Sequence, residues 1–158
     1  MGFFNNKKWL TTAVVGTMVL AACGDDPVGL DEHDEHAEPE GVVLRLNAQV
    51  IASYDEDEGK WTGELEVDVG EETGHIDVIF VDHDGDAIEI DEDLYLEVVI
   101  GNKAIADFEQ DTPGEFAGHL HGESVGETTA VFRIMHGTVG AGHADFETSA
   151  VHVHVNPA

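Results

Sequence analysis

Apolar positions change their spacing twice along the chain. Trp9 to Leu20 is an apolar run of about twelve residues, interrupted only by small or hydroxylated side chains. Residues 24–41, GDDPVGLDEHDEHAEPEG, hold almost no apolar residues and show no alternation. From Val42 to Val155 the pattern becomes short β-branched runs separated by Gly, Asp and Asn. Val42, Leu44 and Leu46 alternate with Val43, Arg45 and Asn47; Leu65, Val67 and Val69 alternate with Glu64, Glu66 and Asp68. Ile76, Val78 and Phe80 follow against His75, Asp77 and Asp82, and Asp84-Gly85 reads as a turn into a strand from Ala87 to Ile90. Leu94–Ile100, Ala104–Phe108, Phe116–Leu120, Thr128–Met135 and Val151–Val155 bring the total to about nine strands, and no window shows helical periodicity. Strands at this spacing, with turn residues between them, predict an all-β sandwich, and the segment is long enough for one core.

The first transition predicts export. Lys7 and Lys8 precede the apolar run, which is shorter than the ~20 residues needed to span a bilayer, and Leu20-Ala21-Ala22-Cys23 closes it. Leu-Ala-Ala-Cys resembles the lipobox of bacterial lipoproteins. The resemblance implies cleavage after Ala22 and acylation of Cys23, which becomes the first mature residue and anchors the chain in a membrane. Residues 1–22 are then a lipoprotein signal peptide, 23–41 the lipidated cysteine and an acidic flexible tether, and 42–155 the sandwich domain. Gly24 rather than Asp after the cysteine resembles an outer-membrane or cell-surface destination. Cys23 is the single cysteine, so once acylated it leaves no thiol for a disulfide, a cysteine metal site or a nucleophile in the folded part.

All 34 acidic residues and all ten histidines follow Cys23, against only Arg45, Lys60, Lys103 and Arg133 as cations. Such a field repels phosphate backbones and anionic headgroups, which disfavours nucleic acid as a partner and makes cations the natural one. Solubility at high ionic strength accounts for much of the bulk charge without any site.

In the second half, Asn102-Lys103-Ala104-Ile105-Ala106, then Gly118, then Val125-Gly126-Glu127-Thr128-Thr129-Ala130-Val131-Phe132 resembles the bacterial Ig-like group 2 domain over about residues 94–155. The resemblance implies an Ig-like β-sandwich serving as a surface spacer or protein-interaction module, without catalytic residues. The chain departs from it after Met135, where residues 136–145, HGTVGAGHAD, form a longer glycine-rich connection. The whole chain also looks like small acidic lipoproteins of environmental bacteria that share "EHAEPEG" and "MHG…GHADF" segments, a likeness that adds architecture and no activity.

Histidine is the main chemical lead, because neutral imidazole outside the cell is a good ligand for zinc, copper or nickel and carboxylates complete the shell. His33 and His36 lie in the acidic tether, where no rigid scaffold supports them. His119 and His121, two apart, share one face of a strand, and His152 and His154 repeat the device outward of Val151, Val153 and Val155. His136 continues the inward parity of Ala130, Phe132 and Ile134 and so falls at the rim of the core, where a hydrogen bond to backbone is its blander role. The loop carrying Gly137, Gly140 and Gly142 can fold back to bring His143 near His136 or His119. The expected metal site is therefore His119, His136 and His143, with His121 or Asp145 as fourth ligand. Met135 points to the opposite face and is a poor candidate for a copper thioether.

Other chemistry finds less footing. Counted from Asp82 as an EF-hand loop, the sixth position is Ala87 and the twelfth Asp93, where calcium needs Gly and Glu, so this segment reads as a turn. No nucleophile-elbow serine, phosphate-cradling loop or H-E-x-x-H occurs. The expectation is a non-enzymatic lipoprotein. Two functions stay open: an Ig-like spacer or interaction domain with a protein partner at the cell surface or periplasm, and a carrier of zinc or copper through histidines.

Overall fold

Eleven strands and no helix make up the regular structure of residues 38–158, the part that the computed structural model describes. The expected signal peptide, Cys23, and His33 and His36 of the expected tether lie outside the described residues. The strands are β1 (Gly41–Leu46), β2 (Gln49–Asp55), β3 (Lys60–Gly63), β4 (Leu65–Asp68), β5 (Ile76–Val81) and β6 (Leu94–Ile100). They continue with β7 (Ala106–Glu109), β8 (Ala117–Gly122), β9 (Gly126–His136), β10 (His143–Glu147) and β11 (Val151–Asn156).

Two sheets result. One runs β3-β2-β1-β5-β8-β7, antiparallel throughout. The other is built around β9, which pairs with β6, β10 and β11, with β4 parallel to β11. Between β10 and β11 the chain stays tied to β9 through Thr148, whose amide donates to the Phe132 carbonyl and whose hydroxyl accepts from the Phe132 amide. The passage from one sheet to the other falls at Gly63, with φ of 88°, where a Cβ would drive into the Ile51 carbonyl.

The inner faces meet in one core. Val42, Leu44, Ile76, Val78, Phe80 and Leu120 of the first sheet pack on their counterparts from β4, β6, β9, β10 and β11 of the second. Phe132, fully buried, lies 5.7 Å from the Trp61 ring and 6.0 Å from the Phe108 ring, joining both edges of the first sheet to the centre of the second. Trp61 Nε1 donates to the Ser149 carbonyl at 2.7 Å, which satisfies its polar end. On the outer face, Arg133 is held between Glu97 of β6 and Glu147 of β10, its register partners on either side. Its hydrogen bond to Glu97, then Glu147, raises its pKa and keeps it charged.

The strand count exceeds the expected nine because β2, β3 and β10 bury too few side chains to give a clear alternation. β2 buries only Ala52 and Tyr54, and β10 only Phe146. The β1–β2 turn is Asn47-Ala48, both at positive φ (52° and 62°), a two-residue turn in which alanine stands where glycine is favoured. Ala48→Gly is expected to stabilise the protein by about 0.5–1 kcal/mol, since it removes left-handed strain at a modest cost in unfolded-chain entropy. A rise in the urea midpoint at unchanged slope checks this. The expected strand Ala87–Ile90 shrinks to a single bridge between Val81 and Ala87. The Asp84-Gly85 turn does form: Asp82 Oδ1 accepts the amides of Asp84 and Asp86 at 3.0 Å, and Gly85 takes φ of 82°.

Candidate metal centre

The β9–β10 hairpin builds a compact histidine cluster. His136 ends β9 and His143 begins β10, and the two are cross-strand partners. Their rings lie 5.3 Å apart at 39°. Beyond Ala144 the register slips by one residue, so that Phe146 rather than Asp145 faces Ile134 across the core side. That bulge frees Asp145 from the alternation and turns it to the rim. Its Oδ1 lies 3.0 Å from His143 Nε2 and its Oδ2 3.5 Å from His136 Nδ1. The second nitrogen of His136 is taken by Asp93, with Nε2 to Oδ2 at 2.7 Å.

One ligand atom from each of His136, His143 and Asp145 lies within 4.8 Å of the others. A tetrahedral ion at ~2.0–2.1 Å from each needs them only somewhat closer. His143 and Asp145 are exposed at 73% and 41%, so small side-chain rotations can close the set without disturbing the core. Asp93 on the far nitrogen of His136 matches the carboxylate–histidine pairing that fixes ring orientation and raises ligand basicity in metal sites. The cluster borders an open cleft of about 690 Å³ floored by Ile88, Leu94, Ile134 and Phe146.

Of the expected set of His119, His136 and His143 with His121 or Asp145, the fold brings together His136, His143 and Asp145 and leaves His119 and His121 elsewhere. His119 and His121 stand on β8 of the other sheet and have different neighbours from His136 and His143. The two residues do share a face, half-buried, while Leu120 between them is buried. His121 is clamped by two carboxylates, Glu109 at 3.3 Å and Glu72 at 3.7 Å. His119 Nδ1 bonds the Thr73 carbonyl at 3.0 Å, which raises its pKa, with Asp111, Glu72 and Glu109 adding to the effect against burial. His152 and His154 project outward on β11 with rings 6.3 Å apart, and His154 lies between Glu64 and Glu127. His83, in the turn after β5, bonds Glu40 at 3.1 Å, and this bond raises its pKa.

Sequence reasoning does not single out Asp93, His75 or Asp111 as ligands or supports. Aspartate and glutamate are so frequent in this chain that no single carboxylate carries a signal, and His75 has no histidine near it in sequence. No protein-family model, curated protein or solved structure matches the chain.

Proposed function

We propose that the chain is a non-enzymatic extracytoplasmic lipoprotein, anchored through Cys23, that carries a divalent transition metal, zinc or copper, on its β-sandwich. The observation that supports this most directly is the meeting of His136 and His143 across one hairpin, with Asp145 between them and Asp93 behind. Two imidazoles and a carboxylate are a donor set suited to zinc, and the strongly acidic surface draws cations toward it. The lipobox-like segment and the acidic tether support a position on the outer side of a membrane, held by acyl chains.

The test is a zinc titration of the full chain in detergent, stripped of metal, by calorimetry. His33→Ala and His36→Ala are included so that the tether contributes nothing. Replacing His136 and His143 by alanine is expected to remove one equivalent of bound zinc. Unchanged stoichiometry and affinity would sink the assignment. The sandwich and the Ig-like resemblance would then favour the second reading, a spacer or protein-interaction module.

A further inference from the structure

A second histidine pair comes together on the opposite sheet, from residues that sequence spacing does not connect. The register Ile76↔Gly118 carries His75, just ahead of β5, opposite His119 on β8. The register Glu109↔His119 carries Asp111, just after β7, to the other side of the same strand. Three adjacent chain segments thus present His75, His119 and Asp111 on one outer face. The rings of His75 and His119 sit 5.3 Å apart at 67°.

Both imidazoles are oriented the same way. His119 Nδ1 donates to the Thr73 carbonyl at 3.0 Å, and His75 Nδ1 faces Asp77 Oδ1 at 3.6 Å. The Nε2 atoms of both rings are therefore left to converge on one oxygen, Asp111 Oδ2, at 4.0 Å from His75 and 3.9 Å from His119. Thr73 is itself fixed, since its amide donates to the Leu120 carbonyl at 2.9 Å and its hydroxyl accepts the Leu120 amide at 3.0 Å. An Nδ1–H bound to a carbonyl sets the tautomer whose Nε2 lone pair is free for a metal, so the orienting bond of His119 is already in place.

We infer that His75, His119 and Asp111 form a second divalent transition-metal site, independent of the hairpin rim. Zinc-type coordination at ~2.0–2.1 Å requires the three atoms, which lie within 4.8 Å of one another, to draw closer. Asp111, 69% exposed, and His75, 45% exposed, supply that movement while His119, at 24%, stays fixed. Three protein ligands leave the fourth position to water or to an incoming ligand. His121 lies outside the set, occupied by Glu72 and Glu109.

The test uses the full chain with His33, His36, His136 and His143 all replaced by alanine, stripped of metal and titrated with cobalt(II). Visible bands of a tetrahedral N/O site are expected to saturate at one equivalent and to be displaced by zinc. His75→Ala is expected to abolish them. Asp111→Asn, which keeps the His119–Thr73 bond and so the fold, is expected to weaken binding by ~10-fold or more at an unchanged melting temperature. Absence of cobalt binding in this background, or binding that survives His75→Ala, overturns the site. Neither result bears on the rim, because its histidines are absent from the protein tested.

Discussion

Phe132→Ala is expected to destabilise the protein by about 3–5 kcal/mol, a large share of what holds a small domain folded. Phe132 is fully buried at the centre of β9, and no surface atom can relax into the space it would leave. Its ring contacts Trp61 on one side and Phe108 on the other, and both residues come from the edges of the facing sheet. Truncation therefore removes transfer energy, opens a cavity and unseats two further aromatic side chains. A fall of roughly 10–20 °C in the thermal midpoint follows for a domain of this size. A loss below about 1 kcal/mol in equilibrium unfolding would mean that the two sheets do not pack as described.

Gly142→Val is expected to weaken zinc binding at the rim by about 10–100-fold while leaving the His75–His119–Asp111 site intact. A Cβ at Gly142 would clash with the backbone carbonyl of His136 and come within 2.8 Å of the Tyr95 hydroxyl. A backbone carbonyl cannot rotate away like a side-chain end, so the hairpin must part where His136 and His143 pair. The Gly142 amide also donates to Tyr95 Oη at 3.2 Å, a bond that the shift would lose. Overpacking of this kind costs about 1–3 kcal/mol, enough to loosen a hairpin end without unfolding the sandwich. Zinc titration of the His33→Ala, His36→Ala chain with and without Gly142→Val reads the effect, and undiminished rim affinity would argue against the hairpin as the scaffold of that site.

Strands with strong alternation are legible in the amino-acid sequence. β1, β4, β5, β8 and β11 bury alternate side chains as their spacing demands. β2 and β3 are not legible in this way, because Asn47-Ala48 lacks the glycine that marks a two-residue hairpin and Lys60–Gly63 has Trp61 as its one large apolar residue. Ala87–Ile90 misleads in the opposite sense. Its Ala and Ile fit a strand, but only Ala87 bridges to β5 before the chain leaves the sheet.

The candidate sites divide along the same line. Glycines at 137, 140 and 142 advertise a return of the chain, which brings His143 near His136 or His119 in the sequence reading, and the β9–β10 register pairs it with His136. His75 and His119 are 44 positions apart and are brought together by the β5–β8 register, which depends on how two sheets bury their faces. Local alternation and turn chemistry are properties of short segments, and the sequence alone determined the all-β sandwich class, the outward face of the strongly alternating strands and the glycine-rich return between His136 and His143. Which strands become neighbours is a choice among many pairings with similar local energies. Only the packing of the whole core made that choice, separating His119 from His136 and placing His75 and Asp111 beside it.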